Sequence, residues 1–208
     1  MEARRKKKIG ISGGTFDPIH IGHLLIAEEI RQSEQLDKIL FIPSGTPPHK
    51  LSASVSAAKH RLEMVRLATL DNPSFEPVDM EIRRPGITYT VDTLEALTAN
   101  MEEPAEYHYI IGADVVLELE GWKNFRRLSE LCSFITAFRP GQDPKDFETG
   151  IKRLREMYST RIRTAGTSMM SISSTEIRNK VAEGKSIKYM VVKEVEEYII
   201  KNGLYKLG

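Results

Sequence analysis

Short apolar runs alternate along this chain with longer stretches in which apolar side chains recur every three or four positions. Ile9-Gly10-Ile11-Ser12, flanked by charge and glycine, predicts a strand in the middle of a sheet. From about Gly22 the run to Ile30 takes on a helical pattern. Lys38–Ile42 predicts the second strand, and Ala58–Leu70, with Ala58, Leu62, Val65 and Ala68 on one face, a helix. Phe75–Ile82 reads as strand, Thr90–Met101 as helix through Val91, Leu94, Leu97 and Met101, and Tyr107–Ile111 as strand. The alternation continues with helix over Arg126–Leu131, strand over Ser133–Phe138, helix over Phe147–Tyr158 and a short strand over Arg161–Thr164. Such a series predicts an α/β fold, a Rossmann-like, doubly wound and mainly parallel sheet with helices on both faces, whose ligand lies at the carboxyl ends of the strands. The end of the chain breaks the alternation and predicts a small C-terminal helical part. Ser173-Ser174-Thr175-Glu176 has the form of a capping box with Gly184 as the stop, and a last helix spans Val191–Asn202, closed by Gly203.

Composition changes this picture only at its edges. A length of 208 residues suits one α/β domain, so residues 9–208 read as a single domain behind a basic, solvated leader, residues 1–8. The leader resembles a signal-peptide start, but the apolar stretch that should follow stops at Gly13-Gly14. No apolar run is long enough to cross a bilayer, so no membrane is expected as a partner. Cys132 is the only cysteine, which rules out an intrachain disulfide and suits a cytoplasmic location. A net charge of +1 and the lack of a recognised nucleic-acid module argue against nucleic acid as a partner.

The chemistry concentrates after the first strand, in Gly13-Gly14-Thr15-Phe16-Asp17-Pro18-Ile19-His20-Ile21-Gly22-His23. Glycines without a Cβ let ligand atoms approach the backbone, and Asp17-Pro18 marks a turn. His20 and His23 are three apart. In the first turn of a helix they share a face beside backbone N–H groups and the positive end of the dipole, a place that receives anions. A Gly-Gly pair alone is more often only a turn, and two histidines alone more often structural. A zinc site would need further ligands where only Asp17 is local.

With its neighbours this segment resembles the nucleotidyltransferase superfamily that carries the His-x-Gly-His motif, and within it the bacterial nicotinate-nucleotide adenylyltransferase family. Four other stretches carry the resemblance: Ile42 to Lys50 (IPSGTPPHK), Tyr89 to Leu94 (YTVDTL), Ile111-Gly112-Ala113-Asp114 with Trp122, and Ile172 to Arg178 (ISSTEIR). Together they cover nearly the whole chain.

The resemblance implies transfer of AMP from ATP, bound with Mg2+, to nicotinate mononucleotide by direct in-line attack, giving nicotinate adenine dinucleotide and pyrophosphate. It implies His20, His23, Lys50 and Arg178 as the catalytic group. For ATP it implies Ser12, Gly13, Gly14, Thr15 and Phe16, largely through their backbone, both histidines, Gly112, Asp114, and Ile172, Ser173, Ser174 and Thr175 with Arg178. For the pyridine nucleotide it implies Gly14, Thr15, Phe16, Lys50, Tyr89, Thr90, Lys123 and Trp122, the last stacking on the ring. Read alone, Lys50 is more often a surface lysine and Trp122 more often a core residue, and the alternative for Asp114 is a helix cap. Magnesium follows from ATP chemistry and not from a visible ligand cluster. Phosphopantetheine adenylyltransferases and cytidylyltransferases share the motif; the former are typically shorter, and the latter usually end in an Arg-Thr-x-Gly-Ile-Ser-Thr motif absent here. A nucleotide sensor without turnover is the non-enzymatic alternative, and a homo-oligomer is left open.

Overall fold

The computed structural model describes residues 5–46, 55–99, 103–137, 144–168 and 171–206. Six strands form one parallel sheet: β1 (Lys7–Gly14), β2 (Lys38–Pro43), β3 (Phe75–Pro77), β4 (Ala105–Gly112), β5 (Cys132–Ala137) and β6 (Ile162–Ala165). Their spatial order is β3-β2-β1-β4-β5-β6. The chain winds outward from β1 in one direction and then, from β4, in the other, so the order reverses between β1 and β4. At such a switch point the two flanking loops diverge and leave a crevice. Gly14, at the end of β1, sits opposite Pro43 of β2, and Ser12 opposite Ile110 of β4.

The helices are α1 (Ile21–Ser33), α2 (Ala58–Thr69), α3 (Met80–Arg83), α4 (Thr90–Ala99), α5 (Phe125–Leu131), α6 (Pro144–Tyr158), α7 (Ser174–Ala182) and α8 (Lys193–Lys201). They cover both faces because successive strand residues point to opposite sides. Leu40, Ile42, Tyr107, Tyr109, Ile111 and Phe134 pack towards α4, α5 and α6. Ile39, Phe41, Ile135 and Ala137 pack towards α1, α2 and the C-terminal helices. The expected C-terminal part is thus built into the second layer: Ile177, Ile187, Val191, Val195 and Ile199 are all buried there. Gly184 and Gly203 close α7 and α8 with φ of 68° and 60°, the left-handed conformation that ends helices.

Some boundaries differ from the expectations. β1 starts at Lys7, two residues early, because the leader's last two lysines join the sheet and Lys7 N–H donates to Pro104 O at 3.2 Å. The strand expected over Phe75–Ile82 stops at Pro77, and Met80–Arg83 is helical instead. Proline has no N–H to continue a ladder, so the run ends there. Ala113–Gly121, left without an element in the sequence, is a 3₁₀ helix with Val116 and Leu119 buried. The last helix is shorter than expected, with Val192 as its N-cap. Phe138, Asn100 and Met101, at the ends of two expected elements, lie outside the described residues.

Candidate active site

His20 is the N-cap of α1, with extended backbone (φ −144°, ψ 169°), and His23 occupies the third position of the first turn. The backbone N–H of His20 donates to Nδ1 of His23 at 3.2 Å. A nitrogen that accepts carries no proton, so the proton of a neutral His23 ring sits on Nε2, which becomes a donor. The two imidazoles stack with centroids 3.7 Å apart, on one face as the spacing requires. Phe16 supports them from below. Its φ of 50° turns the ring into the core, where it meets His23 edge-on at 5.1 Å and Phe41 at 6.0 Å. The Phe16 ring therefore belongs to the core and is not a wall of the cavity.

A second helix start lies against the same loop. Ser173 caps α7 by accepting the Glu176 N–H at 3.1 Å. Ser174 Oγ donates to Pro18 O at 2.8 Å, and Arg178 Nη1 donates to Asp17 O at 2.8 Å while Nη2 reaches Thr175 Oγ1 at 3.2 Å. The segment Ile172, Ser173, Ser174, Thr175 and Arg178 is thereby brought to the loop that carries His20 and His23. Two positive helix ends and a guanidinium converge, an arrangement that favours a polyanion.

Beside this, at the switch point, lies a cavity of about 440 Å³ walled by Gly13, Gly14, Thr15, Tyr89, Thr90, Trp122 and Lys123, all expected site residues, and also by Ser44, Glu81, Thr88, Tyr109 and Gly121. Thr90 is the first residue of α4, so the positive end of that helix lies at the cavity wall. Lys123 Nζ lies 4.1 Å above the Tyr89 ring and 3.3 Å from an Asp92 carboxylate oxygen. Trp122 is half-buried and meets Tyr109 edge-on at 5.8 Å. The rest of the indole contributes to the cavity wall.

Sequence reasoning missed several supports of this site. Tyr109 lies under the cavity with its phenol pushed up by burial, so the hydroxyl keeps its proton. Its signal was present in the period-two pattern of β4, which puts Tyr107, Tyr109 and Ile111 on one face. Glu81 is buried and accepts Thr93 Oγ1 at 2.7 Å; burial holds its carboxyl above the ordinary range. Arg61, only 2% exposed, donates to Thr15 O at 2.8 Å, Gly45 O at 3.1 Å and Ser56 O at 3.0 Å. It ties the loops after β1 and β2 to the start of α2.

Of the other expected residues, Ser12 and Gly112 lie on β1 and β4 near their carboxyl ends. Asp114 is exposed at the start of the 3₁₀ helix, and a Cβ on Gly112 would collide with its carboxylate. Lys50 lies outside the described residues. Among those residues no three His, Cys, Asp or Glu side chains are grouped to hold a metal ion, and no helix is long and apolar enough to cross a membrane.

Residues 11–180 match the family model described as cytidylyltransferase-like. The chain is 44% identical over 202 residues to a "probable nicotinate-nucleotide adenylyltransferase" of Thermoanaerobacter sp. (strain X514), covering 97% of this chain and 96% of the relative. It is 43% identical over 201 residues to a protein of the same description from Desulfitobacterium hafniense (strain Y51), covering 97% of each. Its fold is that of Plasmodium falciparum nicotinic acid mononucleotide adenylyltransferase, solved in complexes with APC and with NaAD. The TM-scores are 0.73 and 0.75 at 21% identity, covering 96% of this chain and 97% of that one.

Proposed function

Since the chain belongs to the cytidylyltransferase-like family and, within it, to the nicotinate-nucleotide adenylyltransferases, we propose that it transfers the adenylyl group of ATP to nicotinate mononucleotide, a late step in making NAD. The observation that carries this reading is the adjacency of two subsites. One is a polyanion site between the N-termini of α1 and α7; the other is the aromatic-walled cavity that opens beside it at Gly13 and Gly14.

The reaction needs no nucleophile from the protein. A phosphate monoester is largely dianionic at neutral pH, its second pKa being about 6. An oxygen of the nicotinate mononucleotide phosphate forms a bond to the α-phosphorus of ATP, the bond from that phosphorus to the β-phosphate bridging oxygen breaks, and pyrophosphate leaves with that electron pair. The obstacle is the approach of one anion to another, so catalysis is alignment and charge stabilisation. Nε2–H of His23 donates to phosphate oxygens as charge builds there, beside His20. Arg178 supplies positive charge from the α7 side, and Lys50, between β2 and α2 in sequence, is the second cation of this reading. Backbone N–H groups of residues 12–16 and of the α7 start, with Gly112 and Asp114 on the ribose side, hold ATP.

In the neighbouring cavity Trp122 lies against the pyridine ring. The first turn of α4 at Thr90, with Tyr89 and Lys123, receives its carboxylate. That anion-receiving end favours the carboxylate over the amide form. Magnesium would arrive as part of the ATP substrate and would supply positive charge to the phosphates beside His20, His23 and Arg178.

Pyrophosphate release with ATP and, in turn, nicotinate mononucleotide, its amide analogue and phosphopantetheine tests the proposal. Release is expected to be fastest with the nicotinate form. Turnover with phosphopantetheine alone, or with none of the three, would overturn it.

A further inference from the structure

The C-terminal turn reaches the loop that carries the two histidines. After α8, Gly203 at φ 60° reverses the chain, its N–H donating to Ile200 O at 3.2 Å and that of Leu204 to Ile199 O at 3.1 Å. Tyr205 follows at φ 65°, a left-handed conformation that a residue with a Cβ seldom adopts. The turn brings its hydroxyl within 2.7 Å of Asp17 Oδ1, across 188 positions of sequence. Burial, and then the nearby Asp17 carboxylate, push the phenol up, so the hydroxyl stays protonated and donates.

Asp17 itself is 4% exposed and fully engaged. Its second carboxylate oxygen accepts the Ser56 N–H at 3.1 Å, and its carbonyl accepts Arg178 at 2.8 Å. Ser56 O in turn accepts from Arg61, which also binds Thr15 O. One buried carboxylate therefore ties together the β1–α1 loop, the start of α2 and the last turn of the chain, three residues before His20.

We infer that Asp17 and Tyr205 are positioning residues for the adenylyl transfer, the C-terminal turn acting as a strap that fixes where His20 and His23 meet the phosphates. The inference rests on the proposed roles of those histidines. A side chain that only stapled the C-terminus would need no buried carboxylate in the loop next to the phosphate site. Transition-state donors lose much of their effect when displaced by a fraction of an ångström, so slackening the loop lowers kcat more than it raises KM.

The test is Tyr205→Phe in the full chain, a variant that keeps the ring and removes only the hydroxyl, with its bond to Asp17 and its 3.9 Å contact to Met64 Sδ. Expected is a fall in kcat of about tenfold with KM for both substrates within about twofold. Asp17→Ala, which removes the acceptor of the tyrosine hydroxyl, is expected to produce a loss that the Tyr205→Phe change does not deepen further. In the substrate-free protein, the imidazole nitrogen resonances of His20 and His23 are expected to shift in Tyr205→Phe while those of His108, on β4, stay in place. This second readout is independent of which substrate the enzyme uses. A lower Tm with unchanged kcat and unchanged imidazole signals would overturn the inference. Shifted signals with no turnover of nicotinate mononucleotide by the wild type would instead count against the assigned reaction and leave the strap standing.

Discussion

The hydroxyl of Tyr109 occupies the space that a side chain on Gly13 would need. A Cβ built on Gly13 collides with that oxygen, and the ring Cζ behind it is only 3.0 Å away. Glycine at this position is therefore set by the tyrosine beneath it as much as by the ligand above. Gly13→Ala is expected to cost about 1–3 kcal/mol, the usual penalty of overpacking, and to raise KM for nicotinate mononucleotide as Tyr109 pushes against Trp122. Adding Tyr109→Phe, which removes the clashing oxygen, is expected to restore part of the lost Tm. Thermal melts of the single and double variants check this; a double variant no more stable than Gly13→Ala would contradict it.

His23→Ala is expected to lower kcat by about a hundredfold or more, the scale of a lost transition-state donor. The fold should survive, since the change removes one capping contact worth about 1 kcal/mol. Steady-state rates set beside circular dichroism separate the two effects, and near-normal turnover would remove His23 from its role.

Trp122→Ala is expected to raise KM for the pyridine nucleotide by about tenfold, in line with losing roughly 1–3 kcal/mol of stacking, with KM for ATP little changed. Equal losses for both substrates would indicate collapsed packing around Tyr109 instead.

Glu28 gives a pH prediction away from the site. Hydrogen bonds from Arg31, outweighing burial and helped by Gln32 and Asn72, hold its carboxyl near about 2 against an ordinary 4.5. A lowered carboxylate stabilises the fold above its unfolded pKa and loses that contribution as pH falls through the folded one. Glu28→Gln is expected to lower Tm by a few degrees at pH 7, for a partly exposed pair worth about 1 kcal/mol. The gap between variant and wild type should narrow from pH 5 towards pH 2. A constant gap across that range would show that charge is not the cause.

Local signals were legible in the sequence, and long-range ones were not. The loop after β1, the pairing of His20 with His23 and the Ser173 cap depend on residues within a few positions of one another, so spacing alone predicts them. The alternation of strands and helices likewise gave the sheet and its carboxyl edge. Arg61 could not be read in this way: it sits in an amphipathic helix like any surface arginine, and its partners are Thr15, Gly45 and Ser56, two of them in other loops. Tyr205 meets Asp17 only once the whole chain is folded. The 3₁₀ helix at Ala113–Gly121 packs Val116 and Leu119 into the core without a regular apolar period, and so left no pattern to recognise.

Arg61 also constrains how this protein can change. A single guanidinium answers three carbonyls from three segments, and no other side chain presents five donors in that fork. Replacing it strands all three acceptors at once, and no one compensating substitution can satisfy them. Any change at this one position therefore loosens the loops after β1 and β2 and the entry to α2 together.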